Sequence, residues 1–187
     1  MVTSLPRLLK RNWGWVFISI ILICGVIWVS IPTILLSLSP FMEKKGPEHS
    51  TIVRDGLIWY GKGSIPAIIK VIRAESPWSR AYCGLPGVLE EFGSAAHGAL
   101  DSAIKSEMDA KKKAYLVYSM ISAFRDLNPL KEWIIQKEEI DISEWAQDNL
   151  QQCVLGYFPD APAIFLEGKV NPEFKTWIKN WTGSTVP

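Results

Sequence analysis

The chain has 187 residues, about half of them apolar, which suits one ordinary domain with an appendage and argues against disorder. Its 20 Lys and Arg balance 19 Asp and Glu, leaving a net charge of +1, so no basic field points to nucleic acid and that partner class is set aside. Nine Trp is a heavy allotment for this length, and Trp is favoured where one side of the ring is wet and the other apolar.

In chain order, residues 1–12 are a basic segment carrying Arg7, Lys10 and Arg11. Residues 12–42 then contain no Asp, Glu, Lys or Arg, and the stretch 13–39 is built mainly of Ile, Leu, Val and Trp. A bilayer core of about 30 Å takes roughly 20 helical residues, so this stretch predicts one transmembrane helix, with Pro32 kinking it near Val29 and Pro40 ending it. A cleaved export signal has an apolar region of only about 7–15 residues before a small-residue cleavage site. This run is longer and no Ala-x-Ala follows, so it reads as an uncleaved single-pass anchor. Trp13 and Trp15 stand where an interfacial aromatic belt would place them, or simply fill the helix end. Arg7, Lys10 and Arg11 before the helix outweigh Lys44 and Lys45 after it, which puts the N-terminus in the cytoplasm. The rest of the chain then lies in a periplasm, a lumen or outside the cell.

Residues 40–49 read as a juxtamembrane linker broken by Gly46 and Pro47. From there to residue 182 the signals are helical. Ile52, Val53, Leu57, Ile58 and Tyr60 form an apolar stripe stopped by Gly61 and Gly63. Ser64 offers an N-cap to a helix over 65–74, and Ser76-Pro77 opens a second reaching Phe92. Segments 94–106 and 109–127 form another short-then-long pair, the second burying Tyr115, Tyr118, Met120, Ile121 and Phe124. Asn128-Pro129 starts a helix to about Glu138, and Asp141 with Glu144 makes a capping box for 142–157. Residues 163–166 are a candidate extended piece, Asn171-Pro172 opens a last helix, and 183–187 are a tail. The predicted fold is all-α: a single transmembrane helix followed by a compact helical domain.

Ser64, Pro66-Ala67, Ile68, Ile69 and Arg73, then Ser76-Pro77, Arg80-Ala81, Leu89 and Phe92-Gly93, continuing from Ala95 to Ile104, resemble a pair of HEAT-type repeats over residues 64–127. The resemblance implies stacked helix pairs with a concave surface that binds protein rather than a catalytic centre. Gly84 and Pro86 interrupt the first unit, and His97-Gly98 stand where the second should open with Pro-Ala. An irregular helical bundle fits the same residues.

No nucleophile elbow, phosphate-cradling loop, Cys-x-x-Cys or His-Glu-x-x-His occurs, and neither His49 nor His97 has a partner at zinc-ligand spacing, so no catalytic, metal or cofactor residue is assigned. Cys83 and Cys153 are candidates for a disulfide outside the cytoplasm, or else small core hydrophobes. Trp59, Tyr60, Trp78, Trp177 and Trp181 are candidate contacts for a partner or for lipid, with core packing as the competing explanation. These features point to a non-catalytic, membrane-anchored interaction protein, an accessory or scaffold subunit whose partners are the lipid bilayer and another membrane protein or complex. The alternatives are an enzyme assembled from dispersed helices, with His97, Asp101 and Glu90 as candidates, or a lipid- or pigment-binding helical module.

Overall fold

The computed structural model describes residues 5–43, 47–74, 77, 82–135, 137 and 140–183, with side chains described from Trp15 to Pro40 and from Thr51 onward within those ranges. The protein is mostly helical. Its first helix, α1, runs Leu5–Glu43 and passes through both Pro32 and Pro40, so the apolar stretch is not ended by Pro40 and the helix reaches into the expected linker. Within it, Trp15–Pro40 is long and apolar enough to cross a membrane.

Two different environments divide that helix. Through Val29 its described side chains are exposed, whereas from Ser30 onward Pro32, Leu36 and Ser39 are buried. Spacings of four and three residues put those three on one helical face. The face is covered by α2, Pro47–Tyr60, and by α3, Ile65–Ala74. Leu36 is 2% exposed and belongs to the same apolar cluster as Val53 and Leu57 of α2. Gly56 permits the close approach, since a Cβ there would lie 3.0 Å from Leu35 Cδ1. Pro47, Glu48 and His49, expected in the linker, form the first turn of α2. Lys44, Lys45 and Gly46 lie outside the described residues.

Gly61, at φ +81°, breaks α2 into a 3-10 turn over Gly61–Ser64. Ser64 is not the N-cap its position suggested. Its buried hydroxyl donates instead to Gly61 O at 2.8 Å and Leu57 O at 3.3 Å, satisfying carbonyls left over where α2 stops. Ile65, Ile68, Ile69 and Ile72 form the buried face of α3. At its end the Arg73 guanidinium donates to Glu107 at 3.0 Å and to Ala103 O and Ser106 Oγ, tying α3 to the end of α5.

The helix expected from Ser76 to Phe92 is observed only as α4, Leu85–Glu91, because Gly84 is its N-cap and Pro86 occupies its first turn, where a missing N–H does no harm. Ser76 and residues 78–81 lie outside the described residues. Gly93, at φ +55°, turns the chain into α5, Ser94–Ser106. Asp109 then caps α6, Ala110–Phe124, accepting from Lys112 N at 3.0 Å. Ala114, Tyr115, Leu116, Val117, Met120 and Ile121 of α6 are all buried, an apolar surface nearly all the way round. A helix of that kind belongs at the centre. It packs on α3, α4, α5, α7 (Asn128–Ile135) and α8 (Glu144–Tyr157), so α3, α4 and α5 gather on α6.

The cap of α8 is Ser143, whose side chain accepts from Ala146 N, rather than Asp141. The extended piece at 163–166 is half of a hairpin. Strands β1, Phe165–Leu166, and β2, Lys169–Val170, pair antiparallel across Glu167 and Gly168, whose φ values of +52° and +79° give the primed turn that matches strand twist. The last helix, α9, is Pro172–Asn180 with Asn171 as N-cap.

Candidate functional site

The aromatic residues singled out in the sequence fall into two unlike places. Trp59 and Tyr60, in the last turn of α2, lie against Trp28 of α1, with ring centroids 5.7 Å and 5.4 Å away respectively. Trp28 is 51% exposed and Trp59 72%, a large apolar surface at a position that packing does not require. Trp177 and Trp181 are half-buried, both edge-on to Phe158 at 6.5 Å and 6.2 Å. They hold α9 onto the domain, aided by Lys131, whose ammonium donates to Lys179 O and Trp181 O at 3.0 Å and so satisfies the helix end. Trp78 lies outside the described residues.

The polar candidates are each engaged separately. His97 Nε2 is 2.9 Å from Asp126 Oδ2, and its ring meets Phe124 edge-on at 5.2 Å. Asp101 accepts from Lys105 at 2.8 Å, one turn along the same exposed helix face. Glu90 is exposed on α4. Asp126 is an acidic partner that sequence reasoning missed. It lies 29 positions from His97, just past the end of α6, and no local pattern marks such a pair.

Of the open clefts with mixed linings among the described residues, two border the residues named above. The larger, about 590 Å³, lies between α3 and the α5–α6 turn and is lined by Ile65, Ile69, Lys70, Arg73, Glu107 and Lys112. Arg73 and Glu107 face each other there, so two of its charges are already paired. The second, about 340 Å³, is lined by Tyr118, Ser122, Asn149, Gln152, Cys153 and Tyr157. No group of three or more metal-ligating side chains occurs among the described residues.

Cys83 and Cys153 are thiols in this structure, not a bridge, with Cys83 exposed and Cys153 half-buried. Burial pushes the Cys153 thiol from 9.0 up to about 12 against the opposing pull of Arg125. Burial likewise pushes Tyr118 from 10.0 to about 12, helped by Cys153, Tyr157 and Cys83. Both groups are neutral when protonated, so the unfolded chain loses its protons first and the folded form loses stability as pH rises from about 9 towards 12. Alkaline unfolding followed by Trp fluorescence should begin in that window, and Cys153→Ala should move its onset upward. At pH 8 a maleimide should label Cys83 well before Cys153, with equal labelling only after denaturation. An unchanged onset in the Cys153→Ala protein would refute the assignment.

Compared with known proteins, the chain matches no family model, no curated protein and no solved structure. Its class is therefore defined by its own architecture: a mostly helical domain built around α6, with one long apolar N-terminal helix whose C-terminal part packs into that domain.

Proposed function

We propose that the chain is a non-catalytic, membrane-anchored interaction protein, an accessory or scaffold subunit of a membrane complex. In this reading α1 crosses the bilayer once with the N-terminus in the cytoplasm, and the domain lies on the periplasmic, lumenal or extracellular side. The observation that carries it is the burial of Leu36 in the domain core. A flexible tether would leave the domain free to rotate, whereas a helix built into the core holds one face of the domain in a set orientation to the membrane. Such an arrangement suits a subunit that presents a surface to a neighbour in the same bilayer, where tethering raises the effective concentration and a weak contact suffices.

Ile34 and Leu38 of α1 and Ile52 of α2 support the same reading, being 51%, 39% and 52% exposed on the helix pair that joins anchor to domain. Solvent-exposed apolar groups of this size are typical anchors for a protein partner. Extraction in mild detergent should bring down companions in fixed stoichiometry, and Ile34→Asp with Leu38→Asp should release them while the domain stays folded. A monodisperse monomer, or companions retained by the double variant, would count against the proposal.

A further inference from the structure

We propose that the bilayer surface on the domain side falls at Trp28–Ile31, well inside the apolar stretch, and that Trp28, Trp59, Tyr60 and Lys62 form a contact between the domain and the headgroup–acyl boundary. The inference rests on the reading that α1 crosses the membrane. It adds where the crossing ends and what the domain rests on.

Three independent observations meet at that level. The first is length. A helix rises about 1.5 Å per residue, so a hydrocarbon core of about 30 Å that starts beside Arg11 ends near Ile31. The second is burial. The side chains of α1 are exposed up to Val29, and the domain covers one face of the helix from Ser30 onward. Composition changes at the same place, since Ser30, Pro32, Thr33, Ser37, Ser39 and Pro40 crowd the last part of the stretch.

The third is charge. The α1–α2 pair is antiparallel, with Gly56 against Leu35 and Tyr60 against Trp28. Asp55 and Arg54, exposed and adjacent to Gly56, therefore lie level with Leu35 or farther from Trp28, and Arg54 pairs with Glu91 at 3.5 Å. Ionised groups on a lipid-exposed face cost several kcal/mol in hydrocarbon, so the core must end before Leu35. Level with Trp28 sits exposed Trp59, and exposed Lys62 follows two residues past Tyr60 in the Gly61–Ser64 turn. An aromatic ring with a polar edge and a lysine with a long apolar stem are the side chains that settle at a headgroup boundary. The lysine further complements lipid phosphate.

Site-directed spin labelling of the full chain, reconstituted into phosphatidylcholine–phosphatidylglycerol vesicles, tests this. In a Cys24→Ser, Cys83→Ser, Cys153→Ala background, nitroxides are placed by Ile21→Cys, Ser37→Cys, Trp59→Cys, Lys62→Cys and Met108→Cys, all at exposed positions. The label at 21 should favour oxygen over a water-soluble nickel chelate strongly, as in mid-bilayer, and those at 37 and 108 should read as aqueous. Labels at 59 and 62 should read at the phosphate level, and 62 serves if 59 perturbs the helix. Water at position 21 would defeat the crossing itself. Mid-bilayer at 21 with water at both 59 and 62, or hydrocarbon at 37, would leave the crossing intact and overturn this boundary. Exclusion of both quenchers from 59 would place a protein on that face and overturn it as well.

Discussion

Leu36→Ala is expected to destabilise the whole domain by about 2–5 kcal/mol, although Leu36 lies within the stretch that reads as a membrane span. The side chain is 2% exposed and sits among Val53, Leu57 and the isoleucines of α3, so truncation leaves a cavity in the core rather than a gap in lipid. For a domain of about this size, each kcal/mol lowers the melting temperature by about 2–4 °C. Leu22→Ala is the matched control. That leucine is 63% exposed on the same helix, and its loss should leave the melting temperature of the detergent-solubilised protein unchanged. Equal melting temperatures for the two variants would mean that α1 is a detachable tether. A chain beginning at residue 41 should follow the same logic, exposing Val53 and Leu57 and losing solubility or cooperative unfolding.

That result bears on how the sequence can be read. The long apolar helix is visible as a run of uncharged residues because hydrophobicity is a property of composition alone. That its last turns serve a second purpose is not visible, because Pro32, Leu36 and Ser39 look like any helical face until α2 is known to fold back on it. Helix starts marked by a capping side chain or a proline are legible at Asp109 and Asn171, where the chemistry is local. The sequence is a weaker guide to which nearby backbone group a polar side chain takes. Ser64 has the right type and position for an N-cap, yet it turns back to Leu57 and Gly61. Asp141 with Glu144 has the spacing of a capping box, yet Ser143 is the residue whose side chain accepts from a helix N–H.

The candidate site was less legible still. Trp59 and Trp177 are indistinguishable as letters. One is 72% exposed beside Trp28, and the other is wedged on Phe158 and Phe174, because α2 ends at the domain's edge while α9 closes over its core. The Cys83–Cys153 alternative likewise turns on long-range placement that spacing cannot supply.

Phe174→Ala should have an effect at least as large as that of Leu36→Ala, about 3–5 kcal/mol, with Phe174→Leu losing about 1 kcal/mol. Phe174 is fully buried and the largest side chain of the core that is so enclosed, and it stacks at 5.5 Å on Trp177. The segment leading into it is held by Asn171, 3% exposed, whose amide donates to Ala163 O at 2.8 Å and whose side-chain oxygen accepts from Glu173 N at 2.9 Å. The pair of variants distinguishes two ways in which the protein could hold together. Leu36 and Phe174 sit in α1 and α9, elements that pack on different neighbours, yet both belong to one continuous apolar cluster. If that cluster unfolds as a unit, Leu36→Ala and Phe174→Ala shift the same single transition and their effects add within about 0.5 kcal/mol in the double variant. A second, earlier transition in Phe174→Ala, with the Leu36-dependent one unmoved, would instead make α9 and its hairpin a separately melting flap, leaving α1 to α6 as the more stable part.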